Sequence, residues 1–387
     1  MTDKRIYLDY SATTPVRPEV RAAMAPFFET EFGNPSSMHS YGRAAKVAIE
    51  NSRRQLRQSL GATSGDGLVF TGSGSEADNL AVLGFARRHR SGCVVRSSIE
   101  HKAVTASARA LQREAYDVRV APVDGRGVID IDALRATVPS DGRPTLLSVM
   151  WANNETGVVQ PIADIAELCA ERGAVLFSDA VQALGKIPLA LEKLSLGLFA
   201  FSAHKIGGPK GVGGLLIRGG VELDPIVLGG GQESGLRSGT ENVAGIVGFA
   251  QAAALSVGEL DQEAARLCDL RDRLQSGLQV ALPEIVVNGA DAPRLPNVLN
   301  LSVPDLDLEG ALTALDLEGI CVSSGSACTT GSVAASHVLA AMGRGGDLAR
   351  NTIRLSLGWG TQAEDIEYVV NTLPKVVARV RRFAAGT

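Results

Sequence analysis

Seven short apolar runs rich in β-branched residues recur through the first part of the chain with helical patterns between them, and no other feature restricts the fold as much. The runs are Leu68 to Thr71, Cys93 to Arg96, Val118 to Ala121, Leu146 to Trp151, Val175 to Ser178, Leu198 to Ser202 and Gly214 to Ile217. Strands that are apolar on both faces and alternate with amphipathic segments predict a mainly parallel sheet covered by helices on both sides. Such sheets bind ligands at the carboxyl ends of their strands, where Thr71, Asp179 and Lys205 all fall.

Around residue 255 the pattern changes. A polar helix over about 261–279 is followed by Pro and Asn punctuation and by strands at Val298 to Val303 and Thr352 to Leu357, which suggests a smaller α+β unit. Thr361-Gln362-Ala363-Glu364 fits a capping box that opens a last amphipathic helix, with Pro374 inside its apolar stripe. A length of 387 residues exceeds what one core usually supports, so two domains are expected.

Composition excludes several classes of function. Lys and Arg number 38 against 42 Asp and Glu, a net charge of −4 that gives no basic excess for nucleic acid. No apolar signal core follows Met1-Thr2-Asp3-Lys4-Arg5 and no run long enough for a membrane span is present, so a cytoplasmic protein is expected. Cys93, Cys169, Cys268, Cys321 and Cys328 are scattered and lack CxxC spacing, which speaks against a disulfide framework or structural zinc. The histidines likewise lack metal-ligand spacing, and no metal is expected.

Phe199-Ala200-Phe201-Ser202-Ala203-His204-Lys205 is an apolar run ending in a lysine. A lysine at the mouth of a buried strand can lose its proton and attack a carbonyl, as Schiff-base chemistry requires. Asp179 ends an earlier run with Gln182 one turn on, offering a carboxylate at a second strand end, although it also reads as a helix N-cap. An amine and an acid are what pyridoxal phosphate needs for its aldehyde and its ring nitrogen.

Thr71-Gly72-Ser73-Gly74-Ser75-Glu76 leads from a strand into a helix, so Gly74 and Ser75 are candidates to cradle a phosphate. Gly72-x-Gly74-x-x-Ala77 also satisfies a dinucleotide fingerprint, with Glu100 at the distance of a ribose carboxylate. His101 follows the next strand and reaches the same sheet edge, where an imidazole can lie on a ring and shuttle protons. Cys328 sits among tiny residues in Ser323-Ser324-Gly325-Ser326-Ala327-Cys328, which predicts a mobile, accessible thiol.

These residues and motifs resemble the NifS/IscS-type cysteine desulfurases, class V aminotransferase-like enzymes of fold type I. The resemblance runs from Tyr7-Leu8-Asp9-Tyr10-Ser11-Ala12-Thr13-Thr14-Pro15 and Phe32-Gly33-Asn34-Pro35-Ser36-Ser37, through Glu100-His101-Lys102, Asn153-Asn154-Glu155-Thr156-Gly157 and Ser202-Ala203-His204-Lys205, to Arg237-Ser238-Gly239-Thr240 and the Cys328 loop. It implies an α/β fold-type I architecture, with a large cofactor-binding domain over 16–255. A small domain would come from 1–15 and 256–387 and carry the cysteine loop 323–335.

For the site, the resemblance implies that Lys205 binds the aldehyde of pyridoxal 5'-phosphate, Asp179 pairs with the pyridinium, Gln182 contacts the phenolic oxygen and His101 stacks on the ring. Gly74, Ser75, Ser202 and His204 would hold the phosphate, with Thr240 reaching in from a second subunit of a homodimer. Asn154 and Arg354 would lie at the substrate carboxylate, and Cys328 would take sulfur from L-cysteine as a persulfide. A sulfur acceptor, such as an iron–sulfur scaffold or another carrier, is the implied partner. Alternatives from the residues are a selenocysteine lyase, a nicotinamide oxidoreductase using Gly72 to Ala77, and a non-catalytic sulfur-relay protein.

Overall fold

A computed structural model of the chain describes residues 5–194, 196–325 and 335–384. After a short β1 (Ile6–Tyr7) come β2 (Gly67–Thr71), β3 (Cys93–Ser97), β4 (Asp117–Ala121), β5 (Thr145–Ser148), β6 (Val175–Asp179), β7 (Gly197–Ser202) and β8 (Gly213–Arg218). The last seven form one sheet in the order β2-β8-β7-β6-β5-β3-β4. All expected strands are present, shifted at their ends by a few residues at most, and β3 to β7 pair in parallel. β8 is antiparallel to both β2 and β7. The segment between Ser202 and Gly213 is too short for a helical crossover, so the chain returns beside β7 in the opposite direction.

Strand alternation divides the apolar residues between two cores. Val69, Val94, Leu146, Phe177, Leu198, Ala200 and Leu215 face a layer containing Leu80, Phe85, Val104 and Leu111 of the helices Gly74–Arg88 and Lys102–Arg113. Their neighbours Phe70, Val95, Leu147, Leu176, Phe199, Phe201 and Leu216 face the opposite layer. That layer includes Ile49 and Leu56 of Ser40–Ser59, Ile165 and Leu168 of Ile162–Arg172, and Phe249 of Val243–Gly258. The edge strand β4 is blunted by charge, for Asp117 binds Arg119 and Arg143 there. Among the described residues no single helix is long and apolar enough to cross a membrane.

The rest of the chain adds β9 (Val286–Val287), β10 (Val298–Ser302), β11 (Ile320–Cys321), β12 (Ser323–Ser324) and β13 (Thr352–Ser356). An antiparallel sheet of order β12-β13-β10-β9 packs with the helices Leu260–Ala281, Leu308–Leu317 and Ala363–Ala384 around a third core. Ile6 and Leu8 belong to that core, because β1 pairs in parallel with β11. Val338, Leu339, Met342 and Ala349 instead join the core of the large sheet.

The expected capping box is replaced by a neighbouring arrangement. Thr361 Oγ1 accepts from Gly358 N at 3.0 Å and so closes the preceding turn, leaving it unavailable to cap. The Asp365 carboxylate accepts from Gln362 N at 3.0 Å, and the helix begins at Ala363. Gly358 fixes this register, since a Cβ there would lie 2.0 Å from the Tyr10 ring.

β8 passes so close to the start of helix Gly74–Arg88 that a Cβ on Gly213 would lie 2.5 Å from Ser73 C and 2.8 Å from both Gly74 N and Phe201 O. These are backbone atoms and cannot swing aside. Gly213→Ala should therefore destabilise the protein by about 1–3 kcal/mol, seen as a lower urea midpoint; an unchanged midpoint would contradict the packing described.

Candidate active site

The carboxyl ends of β2, β6 and β7 converge on a cavity of about 320 Å³. Its lining contains Gly74, Ser75, His101, Asn154, Asp179, Gln182, Ser202, His204, Lys205 and Arg354, all singled out from the sequence. Ser11, Ala12, Ser73, Asp78, Met150 and Val181 complete the wall. A wider groove of about 730 Å³ beside Arg53 and Glu233 contains none of the predicted site residues.

One end of the cavity is built for an anion. Ser73 caps the helix Gly74–Arg88 by accepting from Glu76 N at 3.1 Å, and the first backbone N–H groups of a helix have no intrahelical acceptor. Gly74 has to be glycine, for a Cβ would stand 2.9 Å from Val181 Cγ2 and 3.3 Å from Ser202 Cβ. Ser202 Oγ, on the β7 side of this crevice, is buried without a hydrogen-bond partner. Glu76 braces the turn by accepting from Gly72 N at 2.8 Å and from Arg237 Nε at 2.8 Å. His204 Nδ1 lies 3.1 Å from Thr13 Oγ1, and burial, helped by Lys205, pushes its ring down to about 4. It therefore meets an anion as a neutral imidazole.

The middle of the cavity holds the titratable groups. Lys205 ends a short 3-10 turn after β7, and its Nζ donates to Ser11 O at 2.7 Å and Ala12 O at 2.6 Å. Asp179 is 6% exposed at the end of β6, and its Oδ1 accepts from Val181 N at 2.9 Å. Burial raises its pKa, while His101, the Val181 N–H and Lys205 work against that rise. His101 Nδ1 accepts from Ala103 N at 3.2 Å, which leaves the ring proton on Nε2. Burial lowers the His101 pKa against the pull of Asp179, so the ring is neutral near neutral pH.

Gln182 is fixed at both ends of its amide. Nε2 donates to Ser11 O at 2.9 Å, and Oε1 accepts from Lys186 Nζ at 2.8 Å. The far wall belongs to the antiparallel sheet. Arg354 of β13 is 2% exposed, with NH1 donating to Asn154 O at 3.0 Å and NH2 to Asp9 Oδ1 at 2.9 Å, while Nε is buried and unpartnered.

The class-V aminotransferase family, as a sequence family, matches residues 6–369. A cysteine desulfurase IscS of Dictyoglomus turgidum is 40% identical over 380 residues, spanning 98% of this chain and 96% of that one. A cysteine desulfurase of Cereibacter sphaeroides is 43% identical over 384 residues, with 98% and 97% covered. The solved structure of a NifS-like protein matches with a TM-score of 0.90 at 36% identity, over 97% of this chain and 100% of its own. The chain belongs to the class-V aminotransferase family, in its cysteine desulfurase branch.

Two of the expected site residues are absent from the described lining of the cavity. Thr240 is exposed and lines a separate small pocket with Gly72 and Arg237, so within one chain it does not touch the cavity. Cys328 lies outside the described residues, as does most of the loop expected over 323–335. The strand that leads to it, β12, pairs Ser323 directly with Arg354, so this segment starts beside the cavity wall. The dinucleotide alternative loses its ribose carboxylate, because Glu100 is fully buried and accepts from Ser97 Oγ and from Met150 N at 2.8 Å.

Sequence reasoning missed Asp78 and Lys186. Asp78 is 1% exposed, and ligand-type atoms of Asp78, His101 and Asp179 all lie within 4.8 Å of one another. Two buried carboxyls this close do not both ionise without large cost. Burial, then Asp179 and Glu100, push Asp78 well above the ordinary carboxyl range, while at Asp179 the neighbouring groups work against the rise. The signal for Asp78 was its spacing from Gly74, one helical turn into the cradle helix. Lys186 was legible in the same way, one turn after Gln182.

Burial pushes Lys186 down to about 7 from the usual 10.5, with Lys205 and Arg354 adding repulsion. Between those values the unfolded chain binds the extra proton, so stability rises with pH across that window. Lys186→Met abolishes this contribution. Urea melts at about pH 7 and about pH 9 should therefore show the variant losing stability relative to wild type as pH rises; a difference that does not change with pH would contradict the burial of a titrating lysine.

Proposed function

We propose that the chain is a pyridoxal phosphate-dependent cysteine desulfurase, converting L-cysteine to L-alanine and passing the sulfur to Cys328 as a persulfide. The observation that carries this reading is the convergence of Lys205, Asp179 and His101 with an anion-binding helix start in one cavity, closed on the far side by Arg354. The donor set fits the cofactor. The unpartnered Ser202 Oγ and the helix start suit a phosphate, Asp179 suits a pyridinium nitrogen, Gln182 suits a phenolic oxygen, and Lys205 is the amine for the aldehyde. Bound there, pyridoxal phosphate supplies an electron sink for bonds at the carbon that bears the amino group.

Each residue then has a definable task. Asp179, as the anion of its carboxyl pair, holds a proton at the ring nitrogen. Arg354 fixes the substrate carboxylate with charge-assisted hydrogen bonds, next to Asn154. Lys205, as a neutral amine, accepts the α-proton of the substrate, and the Ser11 and Ala12 carbonyls hold its nitrogen at the cavity wall. His101, with its proton on Nε2, moves a proton to or from the substrate thiol. Cys328, as thiolate, attacks the substrate sulfur; the carbon–sulfur bond breaks, a sulfur–sulfur bond forms, the β-carbon takes up a proton, and the α-carbon regains the one held by Lys205 to leave alanine.

The reading extends to a homodimer in which Thr240 completes the phosphate site of the neighbouring subunit. It also includes a cytoplasmic setting, a large domain over 16–255 beside a small one from 1–15 and 256–387, and a sulfur acceptor such as an iron–sulfur scaffold. The test is to follow alanine released from L-cysteine with a thiol reductant present. Wild type should release alanine and sulfide in equal amounts, and Lys205→Ala should be slower by at least about a hundredfold. Cys328→Ala should form no persulfide and lose turnover. Retained turnover in Cys328→Ala would replace this reading with a β-eliminating lyase.

A further inference from the structure

The amino-terminal segment brings a carboxylate to the cavity wall that the functions assigned above do not use. Asp9 follows β1 and forms an isolated parallel bridge with Ser356, at the end of β13. Its two oxygens have different partners. Oδ1 accepts from Arg354 NH2 at 2.9 Å, and Oδ2 accepts from Ser323 Oγ at 2.7 Å. Ser323 and Arg354 face each other across β12 and β13, so one carboxylate clamps a cross-strand pair. Among the described residues no other carboxylate lies within ion-pair distance of Arg354.

A guanidinium is a rigid planar fork with five N–H donors. Asp9 takes one on NH2, and Asn154 O takes one on NH1 at 3.0 Å. Two fixed donors set both the plane and the roll of the group. Nε and the second hydrogens of NH1 and NH2 remain for a ligand, and Nε is buried without a partner. The Arg354 side chain is 3% exposed, so without Asp9 it would be a buried cation with no bonded counter-charge and freedom to turn.

We propose that Asp9 is the positioning residue that makes this site select amino acids carrying an α-carboxylate, by locking Arg354 against β12 in the orientation that receives it. This rests on the reading of Arg354 as the carboxylate-binding residue of a cysteine desulfurase. Oδ1 sets the guanidinium, and Oδ2 ties the same carboxylate to the last strand before the segment that bears Cys328. Loss of Asp9 therefore loosens recognition, while the cofactor end of the cavity, built from β2, β6 and β7, stays in place.

The experiment compares L-cysteine with cysteamine, which is cysteine without its carboxylate, in the holoenzyme and in Asp9→Ala, Asp9→Asn and Ser323→Ala. Asp9→Ala should raise the KM for cysteine by about ten- to a hundredfold with a smaller change in kcat, and lower the preference for cysteine over cysteamine by a similar factor. Binding of the product L-alanine, measured by calorimetry, should weaken in step. Asp9→Asn keeps an acceptor oxygen and should recover part of the loss, and it stands in for Asp9→Ala if that variant does not fold. Ser323→Ala leaves Oδ1 on Arg354 and should keep most of the selectivity. Wild-type selectivity and alanine affinity in the Asp9 variants, or a fall in kcat with KM unchanged, would overturn the assignment. A wild type that turns over neither thiol would instead overturn the functional reading.

Discussion

Lys205 Nζ is held 2.7 and 2.6 Å from the carbonyl oxygens of Ser11 and Ala12, so the amine at the centre of the cavity is positioned by the amino-terminal segment as well as by its own strand. The same segment places Asp9 on Arg354, and the backbone N–H of Thr14 on His204 O at 2.9 Å. Ile6 and Leu8 embed its beginning in the core of the antiparallel sheet. A stretch of about ten residues thus stitches the two sheets together across the site. Its buried carbonyls at Ser11 and Ala12, which must find donors, find them in Gln182 and Lys205 of the cavity wall.

Desolvation sets the electrostatics of the cavity. Asp78, Asp179, His101, His204 and Lys186 are all displaced from their ordinary titration, with burial as the largest cause in every case. The displacements favour neutral forms for both histidines and for Asp78. Asp179 differs because the Val181 N–H and Lys205 support its charge. A single supported anion facing a pocket with an anion cradle at one end and a guanidinium at the other suits a zwitterionic ring that carries a phosphate. A functional site of this kind is where paired groups with displaced titration are expected.

The parts of the fold that depend on local pattern were legible in the sequence. Runs such as Leu198 to Ser202 are strands because every residue in them is buried, and alternation alone assigns Phe199 and Phe201 to one core and Leu198 and Ala200 to the other. Register and direction were less legible, because they depend on partners distant in sequence. The antiparallel β8 follows from a short connection, and the displaced cap at Thr361 follows from the Tyr10 ring packed against Gly358. At the site, residues at strand ends were read correctly as neighbours. Asp78, Lys186, Ser11 and Asp9 were not singled out, since their importance comes from what the tertiary fold sets opposite them. Thr240 has the opposite difficulty: its motif is plain in the sequence, and one chain alone does not bring it to the cavity.

The central claim is that Lys205, and no other amine in or near the cavity, binds the cofactor aldehyde. Borohydride reduction of the holoprotein, followed by digestion and peptide mass spectrometry, tests this directly. A pyridoxyl phosphate mass on the peptide containing Lys205 is the expected result. The same mass on Lys186 or any other lysine, or on no lysine at all, would contradict it.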